Sequence, residues 1–477
     1  MPAPARPAYF DRSIIEGSLG RAVWRLAWPT MLQNVLGGLQ GIIDHAMVGH
    51  FVGYTANAAI GVSWQIFLVV IVFISSLYSG MGVLVARAAG AGDRDGVDRT
   101  VGQAFLVSFV LAGAIMGPIG YLVSPWLLLF VNATPAVREI ALPYLRLMFV
   151  GGIGLLTFFM LGGALRAAGD PRTPLRLGIL LTVLNVVFNV VLIPGAGPIP
   201  ALGAAGAAVG TISASVVVAV VGLWSMRRPG SAIHLPSLTA LRPDWAIIRQ
   251  LFRFGLPTGI QGVAMNIGGV FLLRFLGALP QSAAAQAAYA IGYTQLFSLI
   301  TFTSVGVMGA TAAVVGQNLG AHQPERAWQA VRVSSSLAFA VAVGIGLLFM
   351  LIPDLLLAIF GMDEPQTVVI ARSLLRHLAV SGLFVTVALA YTGALQGSGD
   401  TRSPLYISVI SQLLVPLGLC MIFQRVGVFE PVDIWRAIVA GHVTRCVLSY
   451  LRFSQGKWQR IVVDAGTVPE PMRPEVT

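Results

Sequence analysis

Residues 163–175 read GALRAAGDPRTPL, and residues 393–405 read GALQGSGDTRSPL. These two stretches, the first and second signatures, are identical at eight of thirteen positions; unrelated segments of ordinary composition would share about one. Each runs from a predicted helix end through Gly-Asp to an Arg and a Pro before the next apolar run. We interpret the chain as a duplication of a unit about half its length, and we expect its function where the halves meet.

The duplication extends beyond the signatures, at a nearly constant offset of 228 to 231 residues. The repeated landmarks are Pro29, Thr30 and Gln33 with Pro257, Thr258 and Gln261, then 59–61 with 290–292, and Gly90 and Ala91 with Gly320 and Ala321. An even number of spans in each copy gives both copies the same orientation. We therefore expect halves related by a pseudo-two-fold axis along the membrane normal.

The composition places the chain in a membrane. Of its 477 residues, 56% are hydrophobic and only 10% are charged, whereas soluble domains carry about 25% charged residues. Apolar runs long enough to cross a bilayer recur along the chain. They predict an all-α integral membrane protein with twelve transmembrane helices in two six-helix bundles, at 24–50, 57–85, 101–125, 139–164, 175–194, 203–225, 254–276, 285–315, 331–352, 370–395, 405–424 and 433–452.

The basic residues predict the orientation. The net charge of +11 could suggest nucleic-acid binding, but most of the 30 Lys and Arg fall in alternate loops and at both ends. This positive-inside bias predicts a multi-pass protein of the cell (inner) membrane with both termini cytoplasmic and no nucleic-acid partner. The predicted segments are an N-terminal cytoplasmic segment 1–23, an N-lobe 24–226, a cytoplasmic linker 227–247, a C-lobe 248–453 and a flexible cytoplasmic tail 454–477.

Motifs of enzyme chemistry are missing from the sequence. Lys457 is the only lysine, and it precedes Trp458 rather than the Ser or Thr of a nucleotide-binding loop. No His-Glu-x-x-His occurs, and Cys420 and Cys446 do not have the spacing of metal ligands. We expect neither enzymatic activity nor a cofactor.

The first span carries the most informative polar residues. Gln33, Gly37, Gln40 and Asp44 are spaced by 4, 3 and 4, so they share one helical face. Asp44 is the one carboxylate placed well inside a predicted span, where a charge costs at least about 2.5–3.5 kcal/mol. Such an acid normally faces a cavity and has a function. The alternative is a structural Asp near the outer end, bonded to a neighbouring helix.

Span five offers polar partners for this acid. Asn185 and Asn189 are four residues apart and share a face, although bonding between helices alone would also explain two amides there. Thr211 in span six is a weaker candidate, because a Thr hydroxyl can bond its own helix backbone. In the second half, position 272, at an offset of 228 from Asp44, is Leu272, so the acid has no counterpart.

The two six-span halves and the paired signatures, with their pattern Gly-x-Leu-x-x-x-Gly-Asp-x-x-x-Pro, resemble the multidrug and toxic compound extrusion (MATE) transporters. The opening segment 17–29 (GSLGRAVWRLAWP) and the fifteen-residue spacing from Pro29 to Asp44 are also similar. The resemblance covers about residues 15 to 453.

This resemblance implies two bundles in a V shape around a central cavity that opens alternately to either side. It implies export of organic, often cationic, compounds in exchange for Na⁺ or H⁺, by a protein that we expect to be a monomer in contact with lipid. The family's N-lobe cation site maps onto Asp44, Asn185, Asn189 and Thr211, which would be the metal ligands if Na⁺ is used.

We expect the substrate cavity to be lined by Gln33, Gln40, Asp44 and Asn185, and α-helix bending to occur at Pro29. Some members carry Asp at the second span-five position, so Asn189 weakens any proton mechanism with two carboxylates. One branch also uses acids in spans seven and ten; both spans lack acids here, which argues against a cation site in the C-lobe.

Two other functions remain open. One is a lipid-linked sugar flippase of the same superfamily, whose cavity would hold cationic residues for pyrophosphate; the sequence places no Arg in the middle of a span of the N half. The other is a membrane receptor or scaffold, which would need neither the duplication nor a buried acid.

Overall fold

The computed structural model describes residues 10–228, 231–234 and 242–463, and these are almost entirely helical. The long helices are α1 (Leu19–Phe51), α2 (Tyr54–Ala91), α3 (Arg94–Phe130), α4 (Pro135–Gly151 with Ile153–Ala167), α5 (Arg172–Leu192), α6 (Gly203–Ser225), α7 (Trp245–Gly277), α8 (Ser282–Gly320), α9 (Pro324–Leu351), α10 (Pro365–Ser398), α11 (Arg402–Val426) and α12 (Pro431–Ser454). Each predicted apolar run lies largely within one of these helices.

Within the described residues, nine helices are long and apolar enough to cross a membrane. The count becomes ten if the two parts of α4, which are bent by 47° relative to each other, form one span. Polar residues lower the mean hydropathy of α1 and α12, which do not meet the same criterion. The all-helical membrane class is therefore confirmed, while the number of twelve spans stays a prediction.

Each signature forms the turn between two helices. Gly169 and Gly399 both have positive φ, +99° and +98°, a conformation that glycine adopts without the steric cost of a Cβ atom. The following Asp then caps the next helix: the Asp170 carboxylate accepts a hydrogen bond from the backbone N–H of Thr173 at 3.1 Å. Asp400 accepts the corresponding bond from Ser403 at 3.2 Å. The duplicated Gly-Asp is thus a helix stop followed by a helix start.

The two halves contact each other reciprocally near the signatures. The Arg87 guanidinium, at the end of α2, donates to the carbonyl of Ser398 in the second half at 3.1 Å. The Gln317 amide, at the end of α8, donates to the carbonyl of Ala167 in the first half at 2.8 Å. Gln317 follows Arg87 by 230 residues and Ser398 follows Ala167 by 231, so these are the two copies of one contact.

Two glycines permit this close approach. A Cβ atom on Gly90 would collide with the carbonyl of Gln317, and a Cβ atom on Gly320 would collide with the carbonyl of Arg87. Backbone carbonyls cannot yield as a flexible side chain can, so α2 and α8 cross at a distance that only glycine allows.

The two chain ends also pack against the signatures. The side chain of Ile14 lies against Gly169, and those of Ile461 and Val463 lie against Gly399. The prediction of a flexible tail over 454–477 is therefore wrong for residues 454–463. Residues 464–477 lie outside the described residues, as do 1–9 of the N-terminal segment.

Trp458 is the residue that the tail prediction missed. It is 1% exposed in a short 3₁₀-helix, Lys457–Arg460. Its ring stacks on Phe453 at 4.7 Å, and its indole N–H donates to the Phe453 carbonyl at 2.8 Å. Burial of this one large aromatic side chain orders the segment, although the neighbouring residues are polar.

The predicted linker 227–247 is described except at 229–230 and 235–241. Its described part packs on the start of α3: the backbone N–H of His234 donates to Asp98 at 2.8 Å. The Gln103 amide donates to the Arg242 carbonyl at 2.7 Å and accepts from the N–H of Asp244 at 3.0 Å. This segment is therefore anchored to the first half before α7 begins.

Candidate functional site

The polar face of α1 packs against α5. Asn189 donates to Asp44 at 2.7 Å, Thr182 donates to Gln40 at 3.3 Å, and the Gln33 side chain lies against Gly178. The paired residues differ by 145, 142 and 145, as expected for two helices that run in the same direction. We call this row of contacts the α1–α5 zipper.

A chain of hydrogen bonds leads from Asp44 into the bundle. The Asn189 amide nitrogen donates to Asp44 and also to the Asn185 carbonyl oxygen, at 3.3 Å. The Asn185 amide nitrogen donates to the Thr211 hydroxyl at 3.0 Å. All four predicted ion-site residues therefore lie together, on α1, α5 and α6.

This chain of hydrogen bonds leaves one buried oxygen acceptor, on Asn189, without a donor. Asn189 is fully buried, yet its Oδ1 has no hydrogen-bond partner among the described residues. Buried polar atoms are normally paired, so a buried amide oxygen beside a carboxylate suits a small hard cation or a proton on the acid. No cluster of three or more His, Cys, Asp or Glu occurs in the described part of the chain.

Gly210 on α6 makes room for Asn189. A Cβ atom there would collide with the Asn189 Oδ1, so the position of this amide depends on the missing side chain. Gly206 and Gly210 are four residues apart on α6, where such small residues let helices pack closely. The structure divides their roles, because Gly206 meets the backbone of Leu192 and Gly210 meets the site.

We expect Gly210→Ala to disturb the site without unfolding the protein. The added methyl would push the Asn189 side chain from its position, which should cut ion-driven export by up to about a hundredfold, the cost that a misplacement near 1 Å can carry. Efflux from proteoliposomes measures this. Gly309→Ala, where a Cβ atom meets nothing within 4 Å, is the control. Equal export by both variants would show that the Asn189 position is unimportant.

Gln33 belongs to a different cluster from Asp44. Its amide oxygen accepts a hydrogen bond from the Arg166 guanidinium at 3.1 Å. Arg166 lies in the first signature, at a predicted helix end, but its side chain extends back along α4 toward the helix start, as helical side chains do. The N half therefore has an arginine among its helices, and the absence of one can no longer be used against the flippase alternative.

Two further residues, Tyr144 and His45, belong to the helices around this site. Tyr144 on α4 is 5% exposed and lies in one apolar cluster with Val48 of α1; no spacing in the sequence pointed to it. His45 turns away from the acid toward α2, where its ring Nδ1 lies 2.5 Å from the Asn57 side-chain oxygen.

The predicted hinge residue, Pro29, is buried in α1, which continues through it without interruption. The Thr30 hydroxyl donates to the Leu26 carbonyl at 3.0 Å, which adds a bond close to the one that proline removes. Bending at Pro29 stays a prediction.

The second half has no acid at the corresponding place. Leu272, the counterpart of Asp44, is 6% exposed within an apolar cluster. Gln261, the counterpart of Gln33, donates to the Ser408 hydroxyl on α11 at 2.8 Å. The same pair of helices therefore packs in both halves, with different chemistry between them.

Comparison with curated proteins finds relatives along nearly the whole chain. A "Probable multidrug resistance protein NorM" of Thermotoga maritima is 28% identical, over 92% of this chain and 93% of the relative. A protein of the same name from Deinococcus radiodurans is 29% identical over 88% and 92%. A "Multidrug resistance protein MdtK" of Edwardsiella ictaluri is 26% identical over 91% and 94%.

Solved structures share the fold. The chain matches an "Outward-facing conformation of a multidrug resistance MATE family transporter of the MOP superfamily" with a TM-score of 0.86, at 21% identity, over 96% of this chain and 100% of that one. It matches a "Crystal structure of MATE in the straight conformation" with a TM-score of 0.85, at the same identity and coverage.

The MatE family model matches twice, at residues 29–191 and 257–422. The matches start 228 residues apart and end 231 apart, which is the offset of the duplicated landmarks. With two matched copies, full-length relatives and a common fold, the chain belongs to the MATE family of membrane transporters.

Proposed function

We propose that this protein exports small organic compounds across the membrane in exchange for H⁺ or Na⁺. The observation that carries the proposal is the hydrogen-bonded chain from Asp44 through Asn189 and Asn185 to Thr211, with the Asn189 Oδ1 left unpaired. The names of the multidrug resistance relatives support small-molecule export; coupling to a cation is our inference from the site.

The residues fit either ion. Na⁺ would be held by the Asp44 carboxylate, the amide oxygens of Asn185 and Asn189 and the Thr211 hydroxyl, which are hard oxygen ligands. A proton would instead neutralise Asp44, and desolvation favours that neutral form. In both cases the carboxylate is the group that changes state.

The coupling step uses the α1–α5 zipper. Neutralising Asp44 weakens the charge-assisted bond from Asn189, which is roughly twice as strong as a neutral one. Helix α1 can then bend at Pro29 and reduce the N-lobe part of the cavity, which releases the substrate. One charge moving through 100 mV supplies about 2.3 kcal/mol, enough for roughly fifty-fold accumulation.

The proposed architecture is twelve membrane helices in two bundles, an N-lobe (24–226) and a C-lobe (248–453), related by a pseudo-two-fold axis. The reciprocal contacts of Arg87, Gln317, Gly90 and Gly320 support such an axis. Because these contacts close the signature end, we infer a cavity that opens at the opposite end, toward the outside if both termini are cytoplasmic.

Efflux from proteoliposomes tests this function. With each ion gradient imposed separately, a fluorescent organic cation should leave against its own gradient when the gradient of the coupling ion, Na⁺ or H⁺, is present, and not when both are collapsed. Export that persists without any ion gradient would exclude coupling.

The orientation in the membrane is tested by labelling. An engineered Cys in the 227–247 loop should be protected from an impermeant reagent added outside cells. Labelling of this Cys would show that the orientation is the reverse of the proposed one.

A lipid-linked sugar flippase is the second candidate, and the observation that favours it is the Arg166 guanidinium among the helices of the N half. Arg166 already donates to Gln33, which leaves less of it for a pyrophosphate. Transbilayer movement of a fluorescent polyprenyl pyrophosphate in the same proteoliposomes, without movement of the organic cation, would favour this alternative.

A further inference from the structure

The outer surface of α3 and α4 contains a crevice with a volume of about 440 Å³. The residues that line it are Gly113, Gly117, Pro118, Tyr121, Leu122 and Val150. Leu122 and Val150 are 63% and 59% exposed, and apolar side chains exposed on membrane-crossing helices face the lipid tails. None of the lining residues lies on α1, α5 or α6, so this crevice is separate from the Asp44 site.

The crevice forms where α3 and α4 separate. A Cβ atom on Gly117 would lie 3.9 Å from the Cα atom of Val150, whereas a Cβ atom on Gly113 would meet no described atom within 4 Å. Beyond the 47° bend of α4, Gly154 packs against α6 instead. Helix α3 is wound as π-helix over Val110–Met116, just before Pro118, which has no N–H to donate to the preceding turn.

The crevice runs along one half of the membrane. Gly113 lies near the middle of α3, and Tyr121 lies eight residues farther from the signature end. Eight helical residues span about 12 Å, and the hydrocarbon of one leaflet is about 15 Å thick, half of the whole core. The length of the crevice therefore matches one acyl chain of the leaflet that lies away from the signatures.

An arginine lies at the end of the crevice that is nearer the membrane surface. Arg146 faces Tyr121 in the same antiparallel register in which Val150 faces Gly117. Its guanidinium lies 4.3 Å from the centroid of the Tyr121 ring, and its Nε donates to the Tyr121 carbonyl at 3.3 Å. That carbonyl can accept this bond because Pro125, four residues on within the helix, has no N–H. The guanidinium is thus held beside the crevice.

This arginine lacks an anionic partner in the described part of the chain. None of the ion pairs there includes Arg146, and its terminal nitrogens form no hydrogen bond with a described residue. Residue 146 lies inside the apolar run predicted at 139–164, where a cation is costly without a counter-ion. Its side chain points toward the start of α4, and a long Arg side chain can reach toward the headgroups.

An exposed tryptophan supports this placement. Trp126 lies one helical turn beyond Leu122 on α3 and is 64% exposed. Trp and Tyr are enriched at the boundary between hydrocarbon and headgroups, so Tyr121 and Trp126 place this part of α3 near that boundary. The anionic groups that a bilayer supplies there are the phosphates of its lipids.

We propose that this crevice binds one anionic phospholipid, with an acyl chain between α3 and α4 and the headgroup phosphate on Arg146. A planar guanidinium matches a phosphate through two parallel hydrogen bonds. The acyl chain fills the space at Gly113 by dispersion contacts, since nothing is gained by removing it from water. The site does not depend on the proposed export function, because it shares no residue with the Asp44 site.

Native mass spectrometry of the purified full-length protein counts the bound lipids. Phosphatidylglycerol is the anionic lipid, and phosphatidylcholine with the same acyl chains is the comparison without net charge. Wild type should retain one phosphatidylglycerol about fivefold more tightly than phosphatidylcholine, the effect of one basic residue near an anionic lipid surface. Equal retention of the two lipids by wild type would show lipid held without selection and would overturn the proposal.

Replacement of the arginine tests the headgroup contact. Arg146→Gln should bind both lipids equally, because the charge is lost while the crevice stays. Arg372→Gln is the control, since Arg372 is exposed and already paired with Asp354; it should keep the preference of wild type. If Arg146→Gln fails to fold, Arg146→Lys decides, and it should keep part of the preference. An unchanged preference in a folded Arg146→Gln overturns the proposal.

Filling the crevice tests the acyl-chain contact. Gly113→Leu should weaken the binding of both lipids at least tenfold, and it should fold, because the added side chain starts in open space. Gly344→Leu is the matched control: Gly344 follows Gly113 by 231 residues, and a Cβ atom there also meets nothing within 4 Å. It should bind lipid as wild type does. Equal binding by Gly113→Leu and wild type contradicts the proposed site.

Two other occupants are distinguished by the same measurement. Glycerol phosphate carries the phosphate without acyl chains, and its displacement of phosphatidylglycerol at equal concentration would show a site for free phosphate and overturn the lipid part. A dimer in wild type that Gly113→Leu dissociates would assign the crevice to a second copy of the chain. Because binding is measured without any ion gradient, its failure is distinguishable from a failure of ion-driven export.

Discussion

Replacing Asp44 with asparagine should abolish ion-driven export and leave the protein folded. Asparagine keeps the size of the side chain and can still accept the hydrogen bond that Asn189 donates at 2.7 Å. It carries no charge, so it can neither take up a proton nor attract Na⁺ against the cost of dehydration. We expect uphill efflux from proteoliposomes to fall to the level of protein-free vesicles, under either ion gradient.

The control for Asp44→Asn is Asp354→Asn, which removes an exposed carboxylate paired with Arg372 and should leave export unchanged. Equilibrium binding of a fluorescent organic cation separates coupling from recognition, because substrate can still enter a cavity that no longer responds to the ion. Undiminished uphill export by Asp44→Asn, at equal amounts of reconstituted protein, would falsify the coupling mechanism.

Alanine at Gly90 or Gly320 should destabilise the contact between the halves. A methyl group at either position meets a backbone carbonyl of the opposite half, so one helix must move; overpacking of this kind costs about 1–3 kcal/mol. Because the two contacts are copies of one another, the two variants should lose similar stability. Thermal unfolding of the purified protein measures the loss.

Gly344→Ala is the control for these variants. A Cβ atom there meets nothing within 4 Å on α9, so alanine should be neutral or should stabilise the helix by about 0.5–1 kcal/mol. Stability unchanged in Gly90→Ala would mean that α2 and α8 are not tightly packed at this crossing. A strong loss in only one of the two variants would contradict the reciprocity.

The sequence predicted those parts of the molecule that depend on local pattern. The apolar runs located the helices, and the duplicated Gly-Asp located two turns whose roles, a left-handed glycine and a capping carboxylate, follow from the residue types. The spacing of Asp44 from Gln40 placed both on one face of α1, and the spacing of Asn185 from Asn189 placed both on one face of α5. The structure brings these two faces together.

Contacts set by distant packing escaped prediction. We expect Gln33 to line a cavity with Asp44, because both lie on one face of α1, but the long side chain of Arg166 reaches Gln33 from another helix. The composition of the tail predicts a flexible segment, yet burial of the single side chain of Trp458 orders its first residues. Nothing in the spacing of α12 distinguished the buried Arg445 from the arginines at helix ends.

The reciprocal crossing at the signature end bears on how the two copies diverged. A duplicated gene begins with identical halves. The paired glycines mark a place where the two copies are still alike, because a side chain added in one half would collide with the backbone of the other. Away from that crossing each half could acquire its own chemistry. The position that corresponds to Asp44 in the second half is Leu272, and the position that corresponds to Arg445 in the first half, at the 230-residue offset of the signatures, is Ser215. One ancestral unit has thus produced two lobes whose buried polar groups differ.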